Sequence, residues 1–163
     1  GEQVYVTGEL GGSAAALARL EESKPLGAEY VRHFRPLARV AVGQWLRQRG
    51  VASAMIDVSD GLSTDLEHIC QESHVGAEIE AEAIPRAQVG LGKKRVALEL
   101  ALHGGDDYEL LFTSAAAIPS EVEGVRVTRI GRTTQSAGMR LIGADGKARR
   151  LAAAGWEHFK GNL

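Results

Sequence analysis

Ala54-Met55-Ile56-Asp57-Val58-Ser59-Asp60-Gly61-Leu62 decides the architecture. Its first half is a short apolar, strand-like run. From Leu62 onward, Leu62, Leu66, Ile69 and Cys70 recur at the spacing of one helical face, and the pattern stops at Gly76. A buried strand that turns directly into an amphipathic helix is a unit of domains in which helices pack on a sheet. The turn between them carries Asp57, Ser59 and Asp60. In open α/β sheets, ligands bind at such strand ends.

Upstream, Val4-Tyr5-Val6 reads as a strand ended by Gly8. Gly11-Gly12-Ser13 opens an alanine-rich helix, with the Ser13 hydroxyl expected to cap it. A helical stretch is expected over 28–34, stopped by Pro36. A further amphipathic helix is expected from Leu37, with Leu37, Val40, Ala41, Gln44 and Trp45 as its inner face and Gly50 after its last turn. Downstream, the pattern predicts strands over 77–84, 108–113, 125–130 and 139–142. Part of 89–102 is expected to be helical, and Ala144-Asp145-Gly146-Lys147 to form a hairpin turn. Strands and helices alternate throughout, so the fold class is α/β or α+β.

Composition narrows the function classes. The 163 residues include 19 Lys and Arg against 21 Asp and Glu, a net charge of −2, which lacks the basic excess of a nucleic-acid-binding domain. Apolar residues at 44% and charged residues at 25% belong to a folded globular chain. Cys70 is the one cysteine, so neither a disulfide framework nor a cysteine zinc site can form within the chain. The five histidines lack metal-ligand spacing. No apolar run reaches the roughly 20 residues of a membrane span, and the default compartment is the cytoplasm. The chain opens at Gly1 without methionine and enters a strand at once, so a piece of a longer protein is expected.

Two acidic segments are the candidates for chemistry. In Asp57-Val58-Ser59-Asp60-Gly61-Leu62, a helix N-terminus offers N–H groups suited to phosphate. Asp57 and Asp60 would repel a bare phosphate, but Mg²⁺ between them reconciles the two. The alternative is that Ser59 or Asp60 caps the helix and Asp57 merely ends the strand. In Gly104-Gly105-Asp106-Asp107-Tyr108-Glu109, paired glycines allow close backbone approach, and crowded carboxylates call for solvent or a cation. The alternative there is a solvated turn. Trp156 suits stacking on a cationic ring or docking of the tail, and Cys70 suits the core.

Together, Val6-Thr7-Gly8-Glu9-Leu10-Gly11-Gly12-Ser13, Ile56-Asp57-Val58-Ser59-Asp60-Gly61-Leu62, Gly104-Gly105-Asp106-Asp107-Tyr108-Glu109-Leu110-Leu111-Phe112, Ile130-Gly131 and Gly155-Trp156-Glu157-His158-Phe159 resemble the thiamine-monophosphate kinase family. That family sits in a superfamily with aminoimidazole ribonucleotide synthetase. The resemblance implies a single C-terminal domain over residues 1–163, a three-layer α/β/α arrangement with a mixed sheet. An N-terminal domain carrying most of the nucleotide site and the homodimer contacts would lie outside the chain. It implies transfer of the ATP γ-phosphate to thiamine monophosphate, with no protein nucleophile and with this chain alone inactive. By the same resemblance, Asp57 and Asp60 hold Mg²⁺ and Ser59 contacts nucleotide phosphate. Asp106 or Asp107 contacts the thiamine monophosphate substrate, and Trp156 stacks on the substrate ring. Two positions depart from the family pattern: Gly12 stands where aspartate is usual, and Asp106 where glutamate is usual. The alternatives are another superfamily member with a different phosphorylated or carboxylated substrate, or a non-catalytic ligand-binding module.

Overall fold

The β-branched run near the N-terminus forms β1 (Gln3–Thr7), and the alanine-rich segment forms α1 (Gly12–Glu21). These coordinates are a computed structural model and describe residues 1–90 and 92–155. A 3₁₀ turn (Ala28–Tyr30) leads into the single-turn α2 (Val31–Phe34), and α3 (Val40–Arg49) follows. Then come β2 (Ala54–Asp57), α4 (Leu62–Glu72) and β3 (Gly76–Glu80). A small hairpin of β4 (Gln88–Val89) and β5 (Lys94–Arg95) precedes α5 (Leu98–His103). The chain closes with β6 (Leu110–Ser114), β7 (Glu121–Val122), β8 (Val125–Thr134), β9 (Gly138–Ile142) and β10 (Ala148–Leu151).

One mixed sheet has the order β10-β9-β3-β8-β1-β6-β2, with β7 paired to β8. All neighbours are antiparallel except β3 and β9. Side chains alternate across β1. Val4 and Val6 face the larger core with Leu62, Leu66, Ile69, Cys70 and Leu102, whereas Tyr5 faces the other side. There Tyr5 stacks on Phe112, with ring centroids 5.3 Å apart, beneath Val42 and Leu46 of α3. Helices therefore cover both faces, and the three-layer expectation is met. Cys70 is buried in the larger core, as its place on the apolar face requires.

Three sequence-based expectations need correction. The inner face of α3 is Val42 and Leu46, both fully buried, while Val40 is 61% exposed and Leu37, outside the helix, is 59% exposed. Periodicity fixed the helix but could not choose between two neighbouring apolar rows; tertiary contact with Tyr5 and Phe112 chose. The strand expected over 77–84 stops at Glu80, where a 3₁₀ turn (Ala81–Ala83) bends the chain before Pro85. Finally, Ser13 does not cap α1 through its side chain: its Oγ lies 2.7 Å from His33 Nδ1.

Candidate functional site

β1 and β2 run antiparallel to the β6 strand between them, so Thr7, Asp57 and Leu110 lie at one end of the sheet. The sheet thereby gathers three segments far apart in sequence: the Gly8–Ser13 loop, the Asp57–Gly61 turn and the Gly104–Glu109 segment. The latter two are laced together. Val58 N–H donates to Glu109 O (2.7 Å), Tyr108 N–H to Val58 O (2.8 Å) and Asp106 N–H to Ser59 O (2.9 Å). Contact this close needs glycine at 105, because a Cβ there would sit 2.5 Å from Ser59 O.

This lacing bends the backbone. Asp106 and Tyr108 adopt left-handed φ of 63° and 51°, a region that non-glycine residues enter rarely and at a cost of order 1–3 kcal/mol each. Both side chains are exposed at the strand end, and the Tyr108 hydroxyl donates to Asp106 Oδ1 at 3.1 Å. That hydrogen bond, with the charges of Asp106, Asp57 and Asp60, raises the Tyr108 pKa above its ordinary value. The three predicted carboxylates therefore act on one phenol. A cavity of about 690 Å³ opens beside them, lined by Ser13, His33, Ser59, Asp60, His103 and Asp106 among others. On the other side of Tyr108, a groove of about 370 Å³ takes in Asp57, Pro36 and Val40.

The predicted residues divide by what they touch. Asp107 turns inward from the cavity, and its carboxylate accepts from Gly11 N–H (2.6 Å) and Ser13 N–H (3.3 Å), capping α1 from across the fold. Burial pushes its pKa from 3.8 up to about 6, against the pull of those amides. A folded pKa above the unfolded one gives a contribution to stability that is full below pH 3.8 and is lost as pH rises through 6. The stability of Asp107→Asn relative to wild type is accordingly expected to climb by up to about 3 kcal/mol between pH 4 and pH 7. Urea unfolding across that range checks it, and a flat difference would contradict it.

Around Asp57–Gly61, the amides that precede α4 are already engaged, and the capping alternative needs correction. Neither Ser59 nor Asp60 caps α4. The N–H groups of Ser59, Asp60 and Gly61 all donate to Asp65 Oδ2, each at 3.1 Å. Asp65 is 1% exposed, and burial raises its pKa to about 6. Its place in the first turn of α4 was the available sequence signal. Ser59 and Asp60 of the turn line the cavity. Trp156 lies outside the described residues. The chain just before it docks on α4, with Gly155 N–H donating to Thr64 Oγ1 (3.0 Å) and Ala154 N–H to Ser63 Oγ (3.3 Å).

Beneath the site, Glu109 is buried and paired. Arg39 donates to both its oxygens, through Nε at 2.6 Å and Nη2 at 2.5 Å, and Thr7 Oγ1–H donates at 2.6 Å. Gly8, with φ of 58°, leaves the space this carboxylate fills; a Cβ would lie 2.1 Å from Glu109 Oε1. A lone arginine in an irregular segment gives no local signal of such a bond.

Residues 1–144 match the family described as AIR synthase related protein, C-terminal domain. The chain belongs to that family. Among curated relatives of this AIR synthase related domain, the thiamine-monophosphate kinase of Salmonella typhimurium is 38% identical over 174 residues, covering 98% of the chain and 53% of the relative. The chain spans about half the length of the curated relatives it matches. In solved structures, the domain resembles AaThiL complexed with AMPPCP and TMP, with a TM-score of 0.77, 33% identity and coverage of 98% and 52% of the two chains. The thiamine-monophosphate kinase from Stenotrophomonas maltophilia K279a gives a TM-score of 0.75 at 36% identity, covering 91% and 51%. These relatives bear out the resemblance read from the motifs.

Proposed function

We propose that the AIR synthase related domain described above is the C-terminal domain of a longer thiamine-monophosphate kinase. The observation that carries this reading is the convergence of Asp57, Ser59, Asp60, Asp106 and Tyr108 on one sheet end beside a cavity. The likeness to a structure complexed with AMPPCP and TMP supports it. The γ-phosphoryl group of ATP passes directly to a phosphate oxygen of thiamine monophosphate, giving thiamine diphosphate and ADP. Such transfer rests on positioning and charge neutralisation and needs no protein nucleophile.

Each residue then has a task. Asp57 and Asp60 hold Mg²⁺, a hard cation bound through one or two carboxylates with phosphate oxygens and water completing its shell. No group of three His, Cys, Asp or Glu side chains suited to a metal occurs among the described residues, so an ion held by Asp57 and Asp60 would take the rest of its shell from nucleotide and water. Bound there, Mg²⁺ supplies neutralisation of the phosphate charge. Ser59 meets nucleotide phosphate with its hydroxyl, its N–H being donated to Asp65. Of the two acceptor-site candidates, Asp106 carries the contact, since the Asp107 oxygens serve α1. Trp156 stacks on the thiazolium ring.

The other half of the polypeptide completes the nucleotide site and carries the homodimer contacts, so these 163 residues alone bind without turnover. Exposed Val40 lines the groove, and Phe34, Leu37 and Met55 are exposed as well, giving that half apolar surface to meet. No helix among the described residues is long and apolar enough to cross a membrane. A cytoplasmic location accords with a soluble co-substrate such as ATP. The test mixes the complete protein with MgATP and thiamine monophosphate and follows thiamine diphosphate by fluorescence after oxidation. Mg²⁺-dependent product is expected; intact ATP and no product would overturn the assignment.

A further inference from the structure

Successive backbone N–H groups that point at one spot form a nest that attracts anions, and a helix N-terminus behind them adds to the pull. The Ser59–Gly61 turn is such a nest, yet its centre is filled from within. Asp65 Oδ2 lies 3.1 Å from the nitrogens of Ser59, Asp60 and Gly61, in a position an external phosphate oxygen would otherwise take. The carbonyl side of the turn is engaged too: Ser59 O accepts from Asp106, and Asp60 O lies against Gly155, where a Cβ would come within 1.9 Å. With both backbone edges fixed, the orientation of the Ser59 and Asp60 side chains at the cavity follows from the turn's shape.

We propose that Asp65 is the positioning residue of the Asp57–Gly61 turn, filling its anion nest with an internal carboxylate so that the turn presents a cation-binding face to the cavity. The amides of residues 59–61 are thereby engaged from within, and none of the three is left to donate to a bare phosphate. A cation between turn and phosphate restores the attraction. The cation and nucleotide are those of the proposed kinase reading; the filled nest stands apart from it. Asp65 touches no ligand and acts through Ser59 and Asp60.

The test uses the complete protein with Asp65→Ala and Asp65→Asn. In Asp65→Ala, the Mg²⁺ concentration for half-maximal turnover is expected to rise about tenfold, the usual loss when an outer partner of a metal ligand is removed. KM for thiamine monophosphate is expected to stay at its wild-type value. Sodium formate, whose carboxylate fits the vacated nest, should restore part of the lost rate in Asp65→Ala and leave wild type unaffected; sodium chloride should restore none. Hydrogen exchange supplies a readout free of turnover: amides 59–61 exchange faster in Asp65→Ala and slow again with formate. Asp65→Asn, which keeps an acceptor oxygen, should fall between. Wild-type Mg²⁺ dependence and exchange in Asp65→Ala would overturn the proposal. So would a joint fall of melting temperature and rate that formate leaves untouched. A wild-type protein with no thiamine-monophosphate turnover would sink the kinase reading alone, while exchange and formate still decide the role of Asp65.

Discussion

Asparagine in place of Asp57 is expected to cut turnover of the complete protein by roughly 10²–10³-fold, the equivalent of about 3–4 kcal/mol of transition-state stabilisation. The melting temperature should move little. Asp57 is exposed at the last position of an edge strand, so the fold does not depend on its charge. Its partners in charge are Asp60 and Asp106, which act on the same tyrosine. Three carboxylates acting on one phenol call for solvent or a cation among them, and the proposed Mg²⁺ meets that demand. Asparagine preserves the size of the side chain and removes its negative charge, so the loss reports on the cation. Steady-state rates at rising Mg²⁺ check this. Wild-type turnover at saturating Mg²⁺ would remove Asp57 from the metal site.

Two kinds of information were legible in the sequence in different degrees. The strand-turn-helix around Asp57 was readable because Ile56, Val58, Leu62, Leu66 and Ile69 obey short-range periods that the fold then honours. The two acidic segments were readable because glycine and aspartate cluster where chain geometry is unusual, and Asp106 and Tyr108 prove to be left-handed there. What each carboxylate does was not readable. Asp106 and Asp107 are adjacent and alike, yet one faces outward beside Tyr108 and the other caps a helix whose sequence lies 94 residues away. The choice is made by the long-range lacing of Val58 and Ser59 with residues 106–109, which no local pattern encodes. For the same reason the α3 face was misread: Val42 and Leu46 win over Val40 because Phe112 and Tyr5 meet them from distant strands.

The largest stability effect should come from the Arg39–Glu109 pair. Glu109→Ala or Arg39→Ala is expected to destabilise the domain by about 3–5 kcal/mol, since each leaves its partner as an uncompensated buried charge. Arg39 and Glu109 side chains are only 9% and 3% exposed, so water cannot replace the missing ion. Arg32, 3.7 Å from the carboxylate and 55% exposed, offers little substitute. A loss of that size is a large share of the roughly 5–15 kcal/mol that holds a domain together. Replacing both at once, Arg39→Met with Glu109→Leu, should recover most of it, because two apolar side chains need no charge partner. The Thr7 hydroxyl then loses its acceptor, leaving a residual deficit of about 1–3 kcal/mol. Urea unfolding followed by the fluorescence of Trp45, a residue of α3 with the Arg49 guanidinium over its ring, reads the helix that Arg39 anchors. Single variants that lose under about 1 kcal/mol, or a double variant that loses their sum, would show the charges to be solvated. The pair ties the start of α3 to the strand that begins at Leu110, two residues after Tyr108. Its rupture should therefore free the left-handed backbone at 106 and 108 and weaken acceptor binding even in the fraction that stays folded.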